Sequence, residues 1–186
     1  MSAYDLDPFR PQPAWYRHNP YGIHGLAHAA RVLVWAEQVG QALSAAGQPV
    51  DMTVVRWAAA VHDVGRLDDG RDPLHGQRSA EWVRERRELL VPALTDGQLE
   101  QLAYVCTWHV PPDHVAPHFS PELTCLKDAD GLDRVRIHDL DPDKLRTRHA
   151  RDLAPGAAVL YHASRVEPGD PWEAVRACAR RLGWWR

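Results

Sequence analysis

Lysine is nearly absent from this 186-residue chain: Lys127 and Lys144 are the only two, and the remaining basic residues are arginines. The formal net charge is only −3, so there is no electrostatic footprint for extended nucleic acid or an anionic membrane. Cysteine is scarce as well. Cys106, Cys125 and Cys178 are odd in number, show no CxxC spacing and lie in helical patterns, which reads as buried thiols rather than a disulfide framework. The leading segment MSAYDLDPFRPQPAW has no apolar stretch of the signal-peptide kind, and no later run approaches ~18 uninterrupted apolar residues. A reducing cytoplasm is the expected location. Repeats, low-complexity tracts and sustained strand alternation are also missing.

What is present is ordinary for one globular domain: 45% hydrophobic and 25% charged residues. The arginine excess adds planar forks suited to phosphate. Residues 1–22, rich in proline and aromatics, are expected to run as an extended arm over a domain formed by 23–186. Beyond the arm the helical period dominates. His28, Val32, Trp35, Val39 and Leu43 recur at three- and four-residue steps until Gly47 and Pro49. Val55, Ala58, Ala59 and His62 form a second stripe, with Gly65 as its expected C-terminal stop. A third helix is predicted over roughly 76–91.

Thr95-Asp-Gly-Gln98 has capping-box spacing ahead of Leu99, Leu102, Cys106 and His109, and Pro111-Pro112 ends that helix. Ser120-Pro121 opens the next, with Leu123, Leu126, Asp130 and Asp133 in line. Helices are also predicted over 141–150 and 154–167, and a last one is capped by Asp170-Pro171. The expected fold class is all-α, a single helical bundle.

His28, His62, His109 and Asp130 occupy positions where the period calls for apolar side chains. Buried ionisable groups are costly unless paired or bound to a cation, and imidazole with carboxylate suits borderline divalent metals. His24-x-x-x-His28 adds two imidazoles one turn apart, and Asp128-Ala129-Asp130 adds carboxylates. Four such residues on four helices point to a metal site in a bundle core. The adjacent pair His62-Asp63 needs a helix end, because neighbours within a helix diverge by about 100°.

These residues resemble the HD superfamily of metal-dependent phosphohydrolases. His28-Ala-Ala-Arg31-Val32 is similar to its H-x-x-R-V helix, and Ala-Ala-Val-His62-Asp63-Val-Gly-Arg66 to its A-x-x-H-D-I-G-K segment. Lys127-Asp-Ala-Asp130-Gly-Leu-Asp133-Arg134 is similar to its D-A-D-x-L-D-R segment. The resemblance implies a helical core in which His28, His62, Asp63 and Asp130 hold a first divalent metal. His75, in His-Gly-Gln-Arg-Ser79-Ala80, and His109 match positions that help bind a second metal in binuclear members, and His24 matches a further ligand in some. The ion would be Mn, Fe, Co, Ni, Mg or Zn. Arg66 departs from the usual lysine, which keeps a cation for a phosphate oxygen but changes its geometry. No acidic pair of the guanosine tetraphosphate hydrolases and no helicase or GYP-type extension is present.

The implied activity is hydrolysis of a phosphate ester or anhydride in a small molecule, most plausibly a nucleotide. Asp63 would orient a metal-activated water, while Arg66, with Arg134 and Arg136, would clamp the phosphate. The leaving-group proton is open between His75, His109 and a second water. The aromatic stretch Trp15-Tyr-Arg17-His18 to Tyr21, just ahead of His24, is expected to line the pocket, with Arg17 as a further substrate contact. Two other functions use the same residues: an HD-type diiron oxygenase and a non-catalytic nucleotide-binding module. The sequence leaves the oligomeric state open.

Overall fold

A computed structural model describes residues 5–90, 94–165 and 169–185. Among them are seven α-helices and no strand: α1 (Leu26–Ala45), α2 (Met52–Val61), α3 (His75–Glu85), α4 (Asp96–Trp108), α5 (Pro121–Asp133), α6 (Arg148–Arg165) and α7 (Pro171–Arg181). The all-α expectation is met. None of these helices is long and apolar enough to cross a membrane.

The local signals act as their chemistry requires. Gly47, at φ +84°, lets α1 close in a Schellman motif, with Gln48 N–H donating to the Leu43 carbonyl and Gly47 N–H to Ser44. The Thr95–Gln98 capping box starts α4, Ser120 caps α5 ahead of Pro121, and Asp170 caps α7. Helix α1 is buried almost all round, because α2, α5, α6 and α7 sheathe it. The α3–α4 pair packs together and rests on α2 through α4. All three cysteines are buried. The closing Trp184-Trp185 pair docks on the core, edge-on to Trp35 and Trp172.

Two helix boundaries differ from expectation. Of the segment predicted as a helix over 141–150, Pro142–Lys144 form a 3-10 turn, Leu145 is extended, and only residues 148–150 are helical, as the start of α6. Asp128 explains this. Its carboxylate accepts the Arg146 and Thr147 N–H groups (2.7 and 2.8 Å) and so fixes where α6 begins. Helix α6 continues past Pro155, whereas the sequence suggests a break before residue 154. Helix α3 stops at Glu85, short of the expected end, and a 3-10 turn, Arg87–Leu89, follows. Residue 91 of that predicted helix, and residues 166 and 167 of the helix predicted over 154–167, lie outside the described residues.

The arm, from residue 5 onward, is not simply extended, for it contains 3-10 turns at Asp7–Phe9 and Pro13–Trp15. Leu6 and Phe9 are buried in the core, and Phe9 meets Trp57 edge-on at 5.1 Å. Arg10 donates to Asp170 (2.5 Å) and Glu173 (3.1 Å), and Arg176 donates back to Asp7 (2.5 Å).

Two glycines allow the close approaches that bring helices α2, α3 and α4 together. Gly65 follows α2 as expected, but for a different reason from the one its position suggested. Its φ is not left-handed, and a Cβ there would lie 2.6 Å from the Ser79 backbone nitrogen of α3. At Gly76 a Cβ would lie 2.4 Å from the Cys106 carbonyl oxygen of α4. Gly76→Ala must therefore force α3 away from α4. The expected loss is about 1–3 kcal/mol, or roughly 5 °C in melting temperature for a domain of this size, read by thermal denaturation.

Candidate metal centre

Helix ends supply most of the candidate ligands. His62 and Asp63 lie in the turn just past α2, His75 opens α3, and His109 immediately follows α4. His28 projects from the first turns of α1, and Asp130 from α5. His62 is the C-cap of α2 and keeps helical dihedrals (φ −58°, ψ −31°), so His62 and Asp63 meet the centre from the helix end. Ser79 secures that turn: its hydroxyl donates to the His62 carbonyl (2.6 Å) and accepts the Gly65 N–H (3.0 Å).

The imidazole tautomers follow from their outer partners. His62, His75 and His109 each direct Nδ1 at the backbone carbonyl three residues earlier, those of Ala59 (3.1 Å), Asp72 (2.5 Å) and Cys106 (2.6 Å). His75 Nδ1 lies between the Asp72 carbonyl and the donor Arg66 Nη1 at 3.0 Å. A carbonyl only accepts, so Nδ1 of His62 and of His109 carries the proton and Nε2 presents a lone pair. His28 does the same against a carboxylate, donating Nδ1–H to Asp133 Oδ2 at 2.7 Å.

The four Nε2 atoms converge. Those of His28 and His62 lie 3.1 Å apart, and those of His75 and His109 lie 3.0 Å apart. Lone pairs facing each other at that distance repel unless a cation lies between them. Donors bound at about 2.1 Å to one ion are separated by about 3.0 to 3.4 Å, the spacing seen here. The donor set fits a divalent metal.

Asp63 faces both imidazole pairs. Its Oδ2 is 3.4 Å from His28 Nε2 and 3.8 Å from His62 Nε2, while Oδ1 is 3.0 Å from His75 Nε2 and 3.9 Å from His109 Nε2. Asp130 Oδ1 approaches His28 Nε2 at 3.4 Å. Three overlapping groups meet the spacing of a metal site: His24–His28–Asp63, His28–His62–Asp130 and His62–Asp63–His109. His24 enters through Nδ1, which lies 2.8 Å from Asp63 Oδ2 and 3.1 Å from Arg136 Nη2.

Burial dominates the electrostatics. It pushes His62 down to about 4 and His109 to about 3, and lowers His24 as well, so these imidazoles are neutral and ready to ligate at pH 7. Burial alone would raise Asp63, but His62, His24, His28 and His75 outweigh it and hold the carboxyl well below its usual range. Asp130 is lowered against the same penalty by His28 and His62.

The pH dependence of the metal-free protein follows. An unfolded histidine takes up its proton near 6.5, whereas folded His62 and His109 do not until about 4 and 3. Between those limits the unfolded chain binds more protons, so stability falls as pH drops from about 6.5 toward 4. Each group contributes up to about 1.4 kcal/mol per pH unit. Melts of EDTA-treated protein from pH 7 to 4.5 are expected to show a steadily falling melting temperature.

The centre opens into a cleft of about 620 Å³, lined by His24, Asp63, His75, His109 and Asp130 among others. Arg66 is buried in its wall, donating Nη2–H to the Gly70 carbonyl (2.8 Å), with Nη1 3.8 Å from Asp63. Arg134 sits on the rim, paired with Asp139, and Arg136 is buried against the Ile23 and Asp133 carbonyls.

Arg17, expected at the substrate, does not line the cleft; it is exposed, and its backbone N–H bonds to Val64. The aromatic stretch does not form a cleft wall either. Trp15 packs on Trp57 and Trp82, and Tyr21 points to solvent. Trp15 and Tyr16 both pack against the core, and Arg17 after them turns outward.

Sequence reasoning overlooked the pair behind His28. Arg31 donates Nε–H to Asp133 Oδ1 (2.6 Å) and Nη2–H to Oδ2 (3.0 Å), and Asp133 is completely buried. The available signal was spacing: Arg31 and Asp133 each follow a candidate ligand by three residues, on the same helix face. Asp128, beside Asp130, belongs to the start of α6 and not to the centre.

The HD domain family matches residues 25–135, the stretch that carries every candidate ligand except His24. No curated protein and no solved structure matches the chain. The order of the motifs, the helical core and the converging donors all agree with the family match: the chain belongs to the HD domain family.

Proposed function

We propose that the protein is a metal-dependent phosphohydrolase that cleaves a phosphate ester or anhydride of a small molecule. The observation that carries this reading is the ring of inward-facing Nε2 lone pairs around Asp63, at the base of an arginine-bearing cleft. Seven lysines and arginines line that cleft against six aspartates, two of which are ligand candidates, in a chain whose net charge is negative. Such a cleft attracts anions.

His28, His62, Asp63 and Asp130 would hold one divalent ion, and Asp63, His75 and His109 would hold a second. The bound metal supplies Lewis acidity and lowers the pKa of water at the phosphorus. Asp63 orients the attacking water in line. Arg66 and Arg136 neutralise charge on the phosphoryl oxygens, with Arg134 at the rim. His24, between Asp63 and Arg136, couples the metal end to that clamp.

The test is phosphate release from a panel of nucleotides, sugar phosphates and pyrophosphate with each of Mn, Fe, Co, Ni, Mg and Zn, under air and under argon. Metal-dependent release that persists without oxygen is expected. Turnover that requires oxygen identifies an oxygenase instead, and binding without turnover identifies a non-catalytic module.

A further inference from the structure

A second group of charges lines the same cleft, beside the centre. Lys127 lies on α5 three residues before Asp130, about 4.5 Å along the helix and on the same face. Its side chain is only 4% exposed. The ammonium donates to the Pro111 carbonyl (2.5 Å) and to Asp113 Oδ1 (2.8 Å). Arg146 grips the same carboxylate as a fork, Nε–H to Oδ2 (2.9 Å) and Nη2–H to Oδ1 (2.6 Å).

Behind Arg146 stands buried Asp128, 3.5 Å from Nη1. Both cations also lie over the Phe119 ring. Asp113 itself is 46% exposed and belongs to a short turn after Pro111-Pro112, four residues past His109. The carboxylate is thus on the solvent side and the cations on the protein side, the arrangement of an anion seated in a cationic cup. Bidentate arginine is the geometry that phosphate shares with carboxylate. Among the described residues, the cleft lining includes no Phe, Tyr or Trp. Recognition beyond the reacting phosphate therefore falls to charge rather than to stacking on a base.

We propose that Lys127 and Arg146 form a second anion subsite in which Asp113 is a resident placeholder. The preferred substrate is then a compact molecule with two phosphoryl groups, one at the metal centre and the other about one helical turn away. The assignment of the first group rests on the phosphohydrolase reading. When the second group enters, Asp113 swings toward solvent, leaving Lys127 and Arg146 to face the incoming anion, with Asp128 behind Arg146.

The experiment is calorimetric titration of the whole Mn-loaded protein with methylenebisphosphonate and, separately, methylphosphonate. Arg146→Gln is expected to reduce the preference for the bisphosphonate about tenfold while leaving methylphosphonate affinity unchanged, which also shows that the variant is folded. Chelation of the metal by the bisphosphonate is common to wild type and variant, so it does not enter the comparison. Asp113→Asn is expected to tighten bisphosphonate binding several-fold, because the competing carboxylate is gone. A merely structural ion pair predicts the opposite sign. An unchanged preference in Arg146→Gln, or weaker binding in Asp113→Asn, overturns the subsite. If Arg146→Gln does not fold, Asp113→Asn decides alone. Failure of the hydrolase reading looks different: no phosphate is released from any substrate, while the bisphosphonate preference and its response to both variants remain.

Discussion

Asp63→Ala is expected to lower metal-dependent phosphate release by roughly a thousandfold or more and to reduce the metal bound per chain, with the far-UV circular dichroism unchanged. Asp63 is the one carboxylate that faces both imidazole pairs, Oδ2 toward His28 and His62 and Oδ1 toward His75 and His109. Without it, Asp130 alone offsets the charge of any divalent ion. The fold does not depend on Asp63, because Ser79 holds the turn it occupies through the His62 carbonyl and the Gly65 N–H. Asp63→Asn separates charge from shape: the amide keeps the volume and one acceptor oxygen. Metal analysis with parallel turnover measurements checks both variants, and full turnover in Asp63→Ala would defeat the assignment.

Asp133→Ala is expected to cause the largest loss of stability. Asp133 is fully buried and accepts three hydrogen bonds, two from Arg31 and one from His28. Removing it leaves the Arg31 guanidinium, itself only 4% exposed, without a counter-charge, at a cost of about 3–5 kcal/mol. For a domain of this size that is roughly 10 °C in melting temperature. The same substitution releases the His28 ring from its fixed tautomer and orientation, so metal affinity should fall by about 10- to 100-fold. Asp133→Asn keeps an acceptor and should lie between wild type and alanine in both measurements. Calorimetry and metal titration on the two variants give the answer. Equal metal affinity in all three proteins would make Asp133 a packing residue only.

The parts of this structure that were legible in the sequence are those set by neighbours along the chain. The capping residues at Thr95, Ser120 and Asp170 and the stop at Gly47 act through bonds a few positions long, so their consequences can be read directly. The candidate ligands were legible for a related reason: His28, His62, His109 and Asp130 interrupt apolar stripes, and a polar residue on a buried face needs an explanation. What stayed hidden depends on distant partners. The start of α6 is fixed by Asp128, 18 and 19 residues upstream of the N–H groups it accepts. The role of Asp133 lies in Arg31, 102 positions away. Arg17 was placed at the pocket by its nearness in sequence to His24, yet the packing of Trp15 against Trp57 and Trp82 decides where that segment points.

The ion pairs between the arm and α7 set an order of events in folding. Arg10 reaches Asp170 and Glu173 across 160 and 163 positions, and Arg176 reaches Asp7 across 169. Closing so long a loop offers no local gain to offset its entropy, so this contact forms after the helical core has collapsed. On unfolding it is the first to open. Phe9 then leaves Trp57 while α1, α2 and α5 remain paired. Tryptophan emission should therefore shift at a lower denaturant concentration than the helical signal is lost, and the metal centre, whose candidate ligands all follow the arm in the chain, should outlast its detachment.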